Sequence, residues 1–417
     1  MAPSSQEVEG FCRQAKVWCE ERRFDAAARL YEQTLGLPLA KRDRGRVLAL
    51  LSRLLQRVYG GSERALGMAQ EAVSLLENAG ETPEVWALRG ISQGVAALSV
   101  AFRNGPAATV RARQALADLE RAADRAVDPE VYGMGAEMCL LLEEPEPALP
   151  WGERYVAVER DEGARAAFAG TMARAYRMAG RLEEADRTLT EALFRLDLCK
   201  YAAATLYHEQ GQLYRVAGRP REARVALERA VGAAAYEDQA RTAELQVSLG
   251  ELCYDEGNFV EAAEQFERAL ALVPEDVGWR RYGLIWLGRC RVEVGACEQA
   301  RECFAEVLAS PEASEEEQME AQRGALYAEA QQFYQAGDFR TAAKAYRRIL
   351  EQNPADDEFR RTMLLWLADC CVRLDDPVGA RACYEEILAS SQAVEGEKQR
   401  ALADLARLPP AGRTWVH

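Results

Sequence analysis

Residues 90–94 read GISQG, the spacing of a nucleophile elbow, in which a strained strand-to-helix turn exposes a serine hydroxyl for acyl transfer. The surroundings of Ser92 offer no such turn, because a helical pattern runs from about Glu84 to Phe102. A base is also scarce: His208 and His417 are the only histidines of the chain. Cys290, Cys297 and Cys303 stand seven and six residues apart, and Cys370, Cys371 and Cys383 form a second loose set. Zinc sites favour close pairs with two intervening residues, so these thiols read as buried apolar side chains. The chain carries no phosphate loop, no G-x-G-x-x-G and no H-E-x-x-H. Its residues therefore point to no enzyme, no metal and no cofactor, and its carboxylate pairs read as solvated helix faces.

Positioning is the stronger signal. The stretch GNFVEAAEQFERALALVP at 257–274 returns as GDFRTAAKAYRRILEQNP at 337–354, with Gly, Ala, aromatic and Pro in the same places. In each, a glycine precedes a helix with small, aromatic or aliphatic residues at steps of four and three: Ala262, Phe266, Ala269 and Ala342, Tyr346, Ile349. Those steps place each trio on one helical stripe. A second helix, such as ELQVSLGELCYDE, precedes each glycine, so the unit is a helix hairpin. The small position recurs at Ala27, Ala65, Ala108, Ala148, Ala185, Ala223, Ala262, Ala300, Ala342 and Ala380, spaced 37 to 43 residues apart. Ten hairpins at a near-constant period predict a solenoid whose units stack because none has a sufficient core alone.

Composition sets the surroundings. Of 417 residues 49% are hydrophobic and 29% charged, which suits a chain that folds in water. The N-terminal MAPSSQEVEG lacks the basic and apolar regions of a secretory signal, and no apolar run approaches membrane-spanning length. A cytoplasmic location is the expectation, and scattered cysteines agree with it. The net charge of −15 argues against general nucleic-acid binding. Only five of the 52 basic residues are lysines, a bias that suggests a GC-rich bacterial genome.

These residues resemble the tetratricopeptide repeat. The seventh unit matches that pattern at Leu249, Gly250, Gly257, Ala262, Phe266, Ala269 and Pro274, the sixth at Gly211, Tyr214, Gly218, Ala223 and Ala230, and the eighth at Leu287, Gly288, Gly295, Ala300 and Phe304. The resemblance implies an all-α, right-handed superhelical array of about ten antiparallel hairpins over residues 6–390. A polar capping helix at 391–408, with Leu402 and Leu405 turned inward, and a mobile tail at 409–417 should follow. The period of about 39 exceeds the usual one of about 34. Repeats two to four are degenerate, the fourth replacing its turn glycine by EEPEP.

In proteins of this kind the first helices of successive repeats line a concave face where partners bind. Mapping that face onto repeats five and six gives Arg174, Arg177, His208, Gln212 and Arg215. Repeats seven to nine give Val247, Tyr254, Ile285, Arg289, Val292, Tyr327 and Tyr334. The expected groove is basic in its middle and aromatic-aliphatic beyond, suited to a protein or peptide of acidic and apolar character. The paired Lys and Asn residues of a carboxylate clamp are not there to be used, since the chain has five Lys and four Asn and none of the Asn maps to the groove. The leading expectation is a non-enzymatic adaptor. The alternatives are a sensor that changes shape around a peptide or small ligand, and a regulatory subunit of a larger signalling or motility complex, for example of a small GTPase or kinase. Oligomeric state stays open.

Overall fold

The computed structural model describes residues 3–59, 63–101, 105–125, 128–195, 197, 202–234, 239–272, 277–352, 355 and 358–408. Pro274, Pro354 and the 409–417 tail lie outside them. The described residues form helices and connecting turns, with no strand.

Ten hairpins follow one another. The first four pair α1 (Ser5–Glu20) with α2 (Phe24–Leu35), α3 (Lys41–Tyr59) with α4 (Glu63–Leu76), α5 (Pro83–Val100) with α6 (Gly105–Ala123), and α7 (Pro129–Leu141) with α8 (Pro145–Val158). The next three pair α9 (Glu162–Met178) with α10 (Leu182–Phe194), α11 (Ala203–Val216) with α12 (Pro220–Ala234), and α13 (Gln239–Asp255) with α14 (Phe259–Leu272). The last three pair α15 (Val277–Glu293) with α16 (Cys297–Leu308), α17 (Glu315–Gln335) with α18 (Phe339–Gln352), and α19 (Glu358–Arg373) with α20 (Pro377–Ala389); α21 (Glu395–Arg407) follows. Degenerate repeats two to four are hairpins like the rest. The chain divides into two compact units, residues 1–252 and 253–417.

All ten recurrent alanines are on the even-numbered helices, and none is more than 2% exposed. Their small size lets the two helices of a hairpin approach. The turn is equally regular. Five residues before the alanine, Arg22, Glu143, Gly180, Gly218, Gly257, Gly295, Gly337 and Asp375 all have φ between 57° and 85°. The next N–H then bonds back across the helix end, as Asn258 N donates to Cys253 O at 2.8 Å. This is the Schellman closure that glycine favours. Glu143 adopts it at the steric cost of a left-handed L-residue, and its side chain is exposed. Glu143→Gly is therefore expected to stabilise the N-terminal unit by up to about 1 kcal/mol, whereas Gly257→Ala should lower stability by a similar amount. Urea midpoints of the full chain test both; a Glu143→Gly midpoint below wild type would contradict the assignment.

Within the second unit, one block repeats after 80 residues. Tyr254, Arg281, Trp286, Cys290, Cys303 and Glu317 return as Tyr334, Arg361, Trp366, Cys370, Cys383 and Glu397. The contacts repeat with them. Arg281 Nε donates to Glu317 at 3.0 Å, and Arg361 Nε to Glu397 at 2.9 Å. Glu317 also closes a capping box with Ser314 at the start of α17, so one carboxylate fixes a helix start and the preceding repeat together. The capping helix departs from expectation on one point. Leu402 is 53% exposed, and α21 instead buries Ala401, with Leu408 just beyond it, because the helix packs on α20 through the face that carries Ala401.

Candidate protein-binding face

Successive first helices touch directly: α3 on α5, α5 on α7, α7 on α9 and α9 on α11 in the first unit, α15 on α17 in the second. They line the crowded side of each unit.

At the N-terminal end that side is filled by its own side chains. Arg53 of α3 is 7% exposed. It reaches past α5 to α7, donating from Nε to Glu130 at 2.9 Å and from Nη1 and Nη2 to Glu137 at 2.9 and 3.0 Å. It also donates to Gln56 at 2.7 Å, and Arg57 pairs with Glu130. Alongside it α5 packs closely on α7, where a Cβ on Gly94 would lie 2.2 Å from Met134 Sδ. Burial would raise the Glu130 carboxyl, but the charges of Arg57 and Arg53 outweigh it and hold the group at about 2.

In repeats five to seven the sequence-designated residues come together in one polar patch. Arg177 of α9 donates to Glu209 of α11 at 3.0 Å, and Arg215 of α11 to Glu251 of α13 at 2.9 Å. His208 lies 3.0 Å from Ser248 Oγ, and Gln212 Nε2 lies 3.3 Å from the same ring nitrogen. Burial pulls the imidazole below its ordinary value, partly offset by Glu209. A neutral ring is thus the folded form at neutral pH. Arg241 pairs with Glu244. Burial would raise the Glu244 carboxyl, but Arg241 first, then His208 and Arg174, bring it below its ordinary value. Expected as an open basic surface, this patch is mostly charge-balanced, because Arg177 and Arg215 each meet a glutamate from the next repeat and Arg241 meets Glu244 on its own helix. Arg174 is the exception: it is exposed and forms no ion pair with a described residue.

The second unit also revises the expected exposed anchors. Ile285 and Tyr327 are only 3% and 8% exposed, and Val292 is buried; so is Val247 in the first unit. The close approach of α15 and α17 encloses Ile285, Val292 and Tyr327. Tyr327 OH donates to Glu293 at 3.3 Å and accepts from Gln331 Nε2 at 3.1 Å. Tyr254 sets its ring edge against Trp286 at 5.3 Å, and Tyr334 repeats the arrangement on Trp366 at 5.0 Å while its hydroxyl bonds Asp369. Arg289 lies over the Trp286 ring at 4.7 Å and pairs with Glu320 at 3.1 Å. Partly exposed Tyr254, Arg289 and Tyr334 remain available from this side.

Sequence reasoning missed the acids that meet these arginines. The signal was present: Glu209, Glu251, Glu317 and Glu397 follow their arginines by 32 or 36 residues, close to one repeat. Ser92 is buried mid-helix, its Oγ donating to Leu88 O at 2.8 Å. The ten cysteines among the described residues are free thiols. Among the described residues no group of three or more His, Cys, Asp or Glu is arranged to hold a metal. No helix among them is long and apolar enough to cross a membrane.

Comparison with known proteins agrees with this architecture. Tetratricopeptide-repeat profiles match residues 201–275 and 327–397. A Rap protein complexed with competence and sporulation factor superposes with a TM-score of 0.56 at 17% identity, covering 87% of this chain and 100% of its own. A STAND signal-transduction ATPase with a tetratricopeptide-repeat sensor, from Pyrococcus horikoshii, gives 0.52 at 13% identity; the match covers 91% of this chain and 65% of that one. Human IFIT1, solved with a capped RNA, gives 0.51 at 15% identity, covering 98% of this chain and 92% of its own. No curated protein matches in sequence. Residues 201–275 and 327–397 thus carry tetratricopeptide repeats, and the chain folds as an all-α solenoid of helix hairpins.

Proposed function

We propose that this protein is a non-enzymatic adaptor of the cytoplasm that holds a segment of a protein partner against its first-helix face. Arg174 carries the reading. It is an exposed guanidinium that forms no ion pair with a described residue, whereas Arg177, Arg215 and Arg241 are paired, and a carboxylate brought by a partner would complete the set. In the second unit, Tyr254, Arg289 and Tyr334 present aromatic and cationic surface of the kind that anchors apolar side chains, with Ile285 and Tyr327 as the buried support beneath them.

Partner capture from a lysate of the source organism tests this. Arg174→Glu should weaken retention of a specific partner at least about tenfold, the loss expected for one charge-assisted hydrogen bond. Val225→Glu, on exposed α12, should leave retention unchanged. Equal retention by both variants would remove Arg174 from the site.

A further inference from the structure

We infer that the exposed face of α18 is a second docking surface, for an acidic helical segment of a partner protein. Arg340, Lys344, Arg347 and Arg348 are exposed on this 14-residue helix. Steps of four, three and one residue put them within about 100° of the helix circumference. The opposite side buries Ala342, Ala343, Tyr346, Ile349 and Leu350. None of the four cations forms an ion pair with a described residue. Among the described residues, the Arg347 side chain donates one hydrogen bond, to Cys371 Sγ at 3.9 Å. Asp338 influences Lys344 and Arg340 at a distance, but its carboxylate is engaged as the helix cap, accepting from Thr341 N at 3.0 Å.

The 80-residue repeat supplies an internal control. At the equivalent positions α14 carries Val260, Glu264, Glu267 and Arg268, and it folds with the same alanine and aromatic buried. The fold therefore does not require the cations. Their presence on one helix of a chain with net charge −15 needs a different cause.

The surroundings select the partner class. α16 packs on α17 and α17 on α18, and α19 links α18 to α20. The matching positions of α16 are Glu298, Glu302 and Glu306, all exposed, and α20 exposes Glu385 and Glu386. The positive stripe is one helix wide and bounded by acids. A long nucleic acid or an anionic membrane would meet those carboxylates and be repelled. A helix lying along α18 with carboxylates every fourth residue repeats at the same spacing of about 6 Å and avoids them.

The test uses the full chain and a dye-labelled 14-residue helical peptide with glutamate at every fourth position, read by fluorescence anisotropy. Saturable binding at low salt is expected. It should weaken at least about tenfold in an Arg340→Val, Lys344→Glu, Arg347→Glu variant, which takes the residues of α14 and so should keep its circular dichroism, and also in high salt. Val225→Glu, on the exposed side of α12, should leave it unchanged, which separates the α18 stripe from second-helix surface elsewhere in the chain. Absence of saturable binding to wild type, or equal binding to the triple variant, would overturn the inference. So would a uridine oligonucleotide or phosphatidylserine vesicles binding at α18 while the peptide does not.

Discussion

Arg53→Met is expected to lower the stability of the N-terminal unit by about 3–5 kcal/mol, the cost of removing one partner from a buried ion cluster. The magnitude follows from what stays behind. Glu130 and Glu137 are three-quarters buried, and Arg53 supplies three of the hydrogen bonds they accept. Arg53→Lys keeps the charge but loses the planar fork that reaches both acids, so it should fall between the two. Adding Glu130→Gln and Glu137→Gln to Arg53→Met should recover part of the loss, since no uncompensated charge then remains. The cluster also sets an acid limit. Glu130 is held at about 2, below its ordinary 4.5; a depressed carboxyl stabilises the fold fully above the ordinary value, and that stabilisation is lost as pH falls through about 2. Wild type should therefore lose stability between about pH 4.5 and 2, and Arg53→Met should show a shallower decline there. Thermal melts of the full chain from pH 7 to pH 3 measure both; equal midpoints at pH 7 would remove the cluster from the stability of this unit.

Phe304→Ala should cost the second unit about 3–5 kcal/mol. The ring is fully buried and lies between two glycines of neighbouring first helices. A Cβ on Gly288 would come within 2.6 Å of it, and one on Gly324 within 2.4 Å. Two backbones thus close on one aromatic plate, and its removal leaves a cavity that glycine cannot fill. Gly324→Ala alone should cost about 1–3 kcal/mol by overpacking. Combined with Phe304→Leu, it should cost less than the sum of the two single changes, because the smaller side chain makes room for the methyl. Additive losses in denaturant titrations would show that the ring and the glycine do not share a contact.

The architecture was legible because its determinants are local and repeated. A small residue every 37 to 43 positions is a packing requirement of each hairpin, and all ten such alanines are buried in the structure. The turn glycines followed from the same phase, and even Glu143, in the degenerate fourth repeat, occupies the left-handed position. The candidate face was less legible because its character depends on pairs of residues a repeat or more apart. Arg177 and Arg215 look basic until Glu209 and Glu251 are placed beside them. Arg53 and Glu137 are 84 residues apart, and no single-repeat pattern connects them. Burial of Ile285 and Tyr327 depends on how closely α15 approaches α17, which side-chain spacing within one helix does not contain. Leu402 on α21 illustrates the same limit: its helix was expected, but the face that helix turns to α20 is the one carrying Ala401, which depends on the packing of two helices.

A photo-crosslinking amino acid at Val216 would probe the proposed binding face most directly. This residue is 58% exposed at the end of α11, next to Arg215, and its replacement leaves every arginine of the patch in place. A second protein with the same photoreactive residue at Val225 of α12, 48% exposed, reports on the opposite helix of that hairpin. Binding at the first-helix face predicts that a captured partner crosslinks from position 216 and not from 225. Crosslinking from 225 alone would place the partner on the second helices and contradict the proposed role of Arg174.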